Sequence, residues 1–144
     1  MTISQKGIDL ICRFEGFRAS PYLCTSDKPT IGYGTTLYKS GKKVTLEDAP
    51  ITKEQAIAEL TYHIENRCYH ALIGLNLIQC QFDALCSFIY WSGFGHFATS
   101  TLKKLVVVNP NNPAIADEFG KWTNKGIKGL ITRRKAESDM YFGK

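Results

Sequence analysis

The run from Thr52 to Gly74 constrains this chain most. Thr52-Lys53-Glu54-Gln55 is a capping box: the Thr hydroxyl can accept from the backbone N–H at Gln55, and the Gln amide can reach back to Thr52. Ile57, Leu60, Ile64, Cys68 and Ala71 then fall on one face at the helical period. Together they predict one helix over 53–72, about 30 Å long at ~1.5 Å per residue. In a chain of 144 residues such a helix is long enough to connect two lobes of one domain.

The flanks differ in character. Ser4 is a candidate N-cap, Ile8, Ile11 and Cys12 recur at helical spacing, and Gly16 is placed to stop a helix running from about Ser4 to Glu15. Over 17–50, Pro21, Pro29, Gly32, Gly34, Gly41 and Pro50 punctuate three β-prone pieces: Pro21-Tyr22-Leu23, Thr30-Ile31-Gly32-Tyr33 and Thr35-Thr36-Leu37-Tyr38. These predict a small antiparallel sheet. Beyond the long helix, Gln81–Trp91 is apolar on nearly every face, the mark of a buried central helix, with Gly93 and Gly95 expected to end it. Further helices are expected over 99–107, over 113–120 with Pro113 in the first turn, and over 130–142. The last is expected to expose a basic face of Arg133, Arg134 and Lys135. The fold class is therefore α+β. A small lobe over about 15–52 carries the sheet, the helix 53–72 connects, and a helical lobe over about 75–144 takes the helix 1–15 against it.

Composition narrows the function classes. Apolar residues at 44% and charged residues at 22% exclude a disordered or fibrous chain. No apolar run approaches the roughly 20 residues that span a bilayer. Met1-Thr2-Ile3-Ser4-Gln5-Lys6 lacks the apolar stretch of an export signal, so synthesis in the cytoplasm is expected. The formal net charge of +5 lies wholly in 103–144, which holds nine Lys and Arg against four Asp and Glu. That surplus is either a footprint for an anionic polymer or the solvated faces of helices. The five cysteines show no CxxC and no zinc spacing, so reduced thiols are expected. Cys12, Cys68, Cys80 and Cys86 sit at apolar helical positions and read as small buried hydrophobes. Cys24 sits in the polar, turn-rich Leu23-Cys24-Thr25-Ser26-Asp27-Lys28-Pro29 and is expected to be exposed.

Glu15 closes an apolar helix between Phe14 and Phe17. The negative end of the helix dipole and apolar neighbours both favour a neutral carboxyl group, the form a general acid needs. Thr30 can offer a hydroxyl that donates and accepts, beside glycines that let backbone approach a ligand. His63, His70 and His96 are scattered, and none falls in a catalytic pattern; His63 and His70 are expected to be exposed on the long helix.

Glu15-Gly16-Phe17-Arg18, Pro21-Tyr22, Cys24 and Thr30-Ile31-Gly32-Tyr33-Gly34-Thr35 follow one another with eight residues between Glu15 and Cys24 and five between Cys24 and Thr30. This closely resembles the catalytic signature of phage-type lysozymes, the endolysins of glycoside hydrolase family 24. There a Glu closes the first helix, an Asp or sometimes a Cys follows, and a Thr opens a T-I-G-x-G turn. Gln81-Phe82-Asp83-Ala84-Leu85, Phe97, Ser100-Thr101-Leu102, Trp122, Gly129-Leu130, Arg133-Arg134 and Glu137 resemble its later segments, so the similarity touches nearly the whole chain.

The resemblance implies a lysozyme-like fold with its cleft between the lobes. It also implies hydrolysis of the β-1,4 bond between N-acetylmuramic acid and N-acetylglucosamine in peptidoglycan. By position, Glu15 is the general acid, Cys24 the second catalytic residue, and Thr30 a group that helps place the water. Gly32, Tyr33 and Trp91 are candidate substrate contacts, with core packing the competing expectation for Trp91. Three departures stand out: Cys24 for the commoner Asp, Trp91 where members often carry Asn, and Thr35-Thr36 where a His is common. An ordinary thiol has a pKa near ~8.5, so Cys24 could be a thiolate nucleophile, a base acting through water, or a bystander beside water held on Thr30. No stereochemical outcome follows with a thiol in one carboxylate's place.

No metal or cofactor is implied. The expected partners are peptidoglycan glycan strands and a separate membrane pore that releases a monomeric enzyme, with neither nucleic acid nor stable membrane insertion. A lytic transglycosylase, a cysteine peptidase and a basic polymer-binding module are the alternatives.

Overall fold

The computed structural model describes residues 1–144. In chain order the elements are α1 (Gln5–Glu15), β1 (Arg18–Leu23), β2 (Pro29–Gly32), α2 (Lys53–Leu72), α3 (Gln79–Ser92), α4 (Phe94–Ala98), α5 (Thr101–Val108), α6 (Ala114–Gly120) and α7 (Lys128–Tyr141). The class is α+β, with a short sheet, a long connecting helix and a helical lobe, as the sequence predicts.

The Ser4 hydroxyl caps α1 by accepting from the Gly7 N–H. Gly16 ends it at φ 72°, a left-handed conformation that swings the chain into β1. β1 and β2 pair antiparallel with Arg18 opposite Gly32, Tyr22 opposite Thr30 and Leu23 opposite Pro29, and the register shifts between Arg18 and Tyr22. The third expected strand does not form. Gly34, at φ 82°, folds the chain back so tightly that Thr35 bridges to Ile31, and only one further bridge, Leu37 to Lys43, follows. That loop is held instead by Asp48, which accepts from the Tyr38 hydroxyl (2.7 Å), the Thr45 hydroxyl (2.7 Å) and the Thr45 N–H (3.0 Å).

α2 spans the predicted residues and starts on a complete capping box. Its buried stripe is Ala56, Leu60, Ile64, Cys68, Ala71 and Leu72, with Ile57 at the edge. α3 is the hub: Gln81 through Ile89 are all buried, and α1, α2, α4 and α7 pack around it. Phe88 meets the edges of Phe97, Phe119 and Trp122 at centroid distances of 6.2, 5.9 and 5.2 Å. Gly93 ends α3, but Gly95 does not stop the chain; it lies inside the short helix α4, which carries the fully buried Phe97.

Two further sequence expectations are corrected. Arg133 and Arg134 are not an exposed basic face: they are 4% and 1% exposed, turned inward toward carboxylates. Only Lys135 stays outside, paired with Asp139. Of the four cysteines read as buried, Cys68 and Cys86 are, whereas Cys12 and Cys80 are half-exposed.

Asp83 fastens α1 to α3. This buried carboxylate accepts from the Ser4 N–H (3.0 Å), the Ser4 hydroxyl and the Gln79 amide (2.9 Å). The close approach requires Gly7: a Cβ there would lie 2.7 Å from Ile3 Cγ1 and 2.9 Å from Asp83 Cβ. Gly7→Ala is therefore expected to destabilise the protein by about 1–3 kcal/mol, read from urea midpoints, despite alanine's better helix propensity.

Candidate active site

A cleft of about 370 Å³ opens between the sheet and the helical lobe, and Glu15, Tyr22, Cys24, Thr30, Gly34, His63, Arg67, Tyr90 and Trp91 are among the residues that line it. Elements far apart in sequence meet here: the end of α1, the β1–β2 turn, and faces of α2 and α3.

Glu15 is the last residue of α1, with 20% of its side chain exposed. The apolar surroundings expected for it are replaced on one side by an ion pair. Arg133 Nη1 donates to Glu15 Oε1 at 2.7 Å, and its Nη2 donates to the Ser87 carbonyl at 3.2 Å. The guanidinium also lies 5.8 Å from the centre of the Phe14 ring. Phe17 turns away to pack against Tyr33, at a centroid distance of 5.5 Å. Oε1 is thus fixed, while Oε2 faces Gly34 on the cleft side.

Cys24 closes β1 on a tight turn. Its N–H donates to the Lys28 carbonyl (3.1 Å), and the Asp27 N–H donates to its carbonyl (2.9 Å). Asp27 takes φ 58°, which an Asx side chain tolerates. Sγ lies 3.1 Å from the Ser26 hydroxyl. That hydroxyl first, then Thr30 and backbone N–H groups, hold the Cys24 thiol down at about 6. Thr30 is buried and donates its own proton to the Lys28 carbonyl at 2.9 Å. A hydroxyl has one proton, so Thr30 serves either that carbonyl or a thiolate at Cys24.

The family model for phage lysozyme matches residues 12–137. This chain belongs to the phage lysozyme family. It is 36% identical to the endolysin of Acyrthosiphon pisum secondary endosymbiont phage 1 over 149 aligned positions, covering 98% of each chain. Among solved structures, the endolysin of Escherichia coli O157:H7 phage FAHEc1 superposes with a TM-score of 0.87 at 35% identity, covering 99% of this chain and 94% of that one. A P22 lysozyme mutant superposes with a TM-score of 0.84 at 32% identity, covering 99% of both.

The cleft gathers Glu15, Cys24, Thr30 and Trp91, but not the other two candidates. Tyr33, expected at the substrate, is a core residue at 7% exposure and presents only its carbonyl, which accepts from the Tyr90 hydroxyl at 2.6 Å. Gly32 is buried against α2: a Cβ would lie 3.0 Å from Ala56 Cβ, so its smallness serves that packing. Trp91 is 38% exposed and not a core residue, with the Arg134 guanidinium 4.8 Å from its ring centre. His63 also departs from expectation. It is half-buried on the cleft wall, its Nε2 bonded to the Leu37 carbonyl.

Sequence reasoning missed three site residues: Arg133, Tyr90 and Gly34 as the glycine that touches the acid. A Cβ on Gly34 would lie 3.2 Å from both Glu15 Oε2 and the Tyr90 hydroxyl. Its backbone, at φ 82°, also strains any L side chain. Gly34→Ala is expected to lower turnover by about tenfold, since Glu15 and Tyr90 must give way by a few tenths of an ångström and a ~1 Å misplacement at a reacting centre costs about 100-fold. Steady-state kinetics beside a circular dichroism melt checks it.

Proposed function

We propose that this chain is a muramidase that cuts peptidoglycan by the lysozyme reaction during host-cell lysis. It hydrolyses the β-1,4 bond between N-acetylmuramic acid and N-acetylglucosamine. One observation carries the proposal: an acid with one oxygen fixed by Arg133 and the other free on the cleft side lines the same cleft as a hydroxyl-solvated thiol.

Glycoside hydrolysis needs a proton on the leaving oxygen and an anion or activated water at the anomeric carbon. Protonated at Oε2, Glu15 donates to the glycosidic oxygen as the bond breaks. Positive charge then grows on the sugar, and the Cys24 thiolate opposes it. Thr30 and Cys24 hold the water whose oxygen joins the anomeric carbon. The water's second proton ends in the Glu15 and Cys24 pair, restoring the site. Trp91 offers a ring face for the strand to lie on.

A cysteine peptidase fits less well. It needs a histidine on the sulfur, whereas the partners of Cys24 are hydroxyls and the His63 Nε2 is taken by a carbonyl. No helix is long and apolar enough to cross a membrane. The proposed route from the cytoplasm to the wall is a pore made by a separate protein, with the enzyme acting as a monomer.

The test is digestion of purified peptidoglycan with reducing ends and product masses both measured. Reducing ends with hydrated masses support the proposal. Products lighter by one water would assign a transglycosylase, freed amino groups a peptidase, and binding without cleavage a polymer-binding module.

A further inference from the structure

The acid's ion pair does not end at Arg133. The order Arg133-Arg134-x-x-Glu137 puts three charges on one inward face of α7, and Glu137 is completely buried. Its Oε1 lies 2.6 Å from Arg134 Nε. Its Oε2 lies 3.1 Å from Arg134 Nη2 and 3.5 Å from Arg133 Nε, and accepts from the Ser87 hydroxyl. Arg133 therefore bridges two carboxylates, holding Glu15 at Nη1 and facing Glu137 with Nε.

A structural staple alone is a poor account of this cluster. Burying charged groups costs several kcal/mol per ion, and apolar residues often dock helices as well. α7 already packs along α3 with Tyr141 in the core. The cluster matters because of what it touches. Two guanidiniums near Glu15 with no second carboxylate would hold that acid as an anion, yet a general acid must begin each turnover protonated.

We propose that Glu137 is a positioning residue for the catalytic acid: it faces Arg133 Nε at 3.5 Å, holds the Ser87 hydroxyl to which Arg133 Nη2 donates, and balances the second guanidinium, so that Arg133 fixes the place of Glu15 without fixing its charge. The proposal rests on the muramidase reading. Glu15 is also faced by Tyr90 from α3, Tyr22 from β1 and Cys12 on its own helix. Of the cations around it, Arg133 is bonded to it and Arg134 stands close enough to feel its charge. Around Glu137 stand Arg133, Arg134 and Ser87. Glu118, on the neighbouring α6, is drawn off by Lys121.

The experiment is a pH–rate profile of reducing-end release for the unaltered enzyme, Glu137→Gln and Ser87→Ala, with a thermal melt of each. In Glu137→Gln both guanidiniums bias Glu15 toward the anion. The alkaline limb should move about one unit to lower pH. At neutral pH kcat should fall about tenfold, with KM changed less than about twofold. Ser87→Ala, which removes one donor to Glu137, should move the limb the same way by less. If Glu137→Gln fails to fold, Ser87→Ala carries the test alone. Unmoved limbs, or rate losses that follow only the folded fraction, overturn the proposal. An unaltered enzyme that releases no reducing ends overturns the muramidase reading and this proposal with it.

Discussion

Glu15→Gln is expected to lower reducing-end release by about 10³-fold, within the range that general acids contribute. The amide keeps the shape of the carboxyl and can still accept from Arg133 Nη1 through its oxygen. It cannot deliver a proton to a leaving sugar. The change also removes one of the two carboxylates around Arg133, which is almost fully buried. Glu15 is partly solvated and Glu137 remains, so the stability loss should be about 1–3 kcal/mol rather than that of a fully buried pair. Binding to intact wall should persist, because the cleft surface is unchanged. The decisive combination is sedimentation with peptidoglycan, a thermal melt and the reducing-end assay on one preparation. A folded, wall-binding variant with a tenth of the original rate would remove Glu15 from the acid's role.

The proposed catalytic residues were legible because their relation is local. Glu15, Cys24 and Thr30 lie within sixteen residues of one another, on a helix end, a turn and a strand, where spacing nearly fixes geometry. The long helix was equally plain, since its cap and stripe are contained in its own sequence. The partner of the acid was not. Arg133 is 118 residues from Glu15, and nothing in the helical period of α7 shows that a pair of arginines turns inward. Only the third charge, Glu137, hints at it, because a carboxylate three and four residues on can neutralise both.

The aromatic residues show another limit. Tyr33, a candidate substrate contact, lies in the core, whereas Trp91, a candidate contact with core packing as its competing expectation, lies on the cleft wall. Trp91 continues an apolar helix and so reads as core, but the buried run stops at Ile89, and by the last turn of α3 the helix faces the cleft. Gly32 and Gly34 look alike as turn residues. What each one touches, Ala56 for the first and Glu15 for the second, depends on packing between distant segments.

The thiol should decide how the rate depends on acid pH. Cys24→Ser is expected to lower turnover at least about 100-fold near pH 7, because a serine hydroxyl is neutral there and offers no anion to the sugar. Cys24 is held down to about 6, so the thiolate prevails above that pH and is lost as pH falls through it. Activity of the unaltered enzyme should therefore rise between about pH 5 and 7. Cys24→Asp restores an anion with an ordinary pKa near ~3.9. It should keep activity within about tenfold and carry the acid limb down toward pH ~4. Ser26→Ala removes the largest stabiliser of the thiolate, so its limb should move the other way, toward neutral pH. Alkylation of the resting protein with iodoacetamide titrates the same thiol without turnover, and its midpoint should track the kinetic limb in Ser26→Ala. Full activity in Cys24→Ser with the acid limb in place would leave Cys24 a bystander and pass the reaction to water held on Thr30. A thiol midpoint that moves in Ser26→Ala while the kinetic limb stays would make Cys24 a bystander by a separate route, because the sulfur would then titrate without the rate following it.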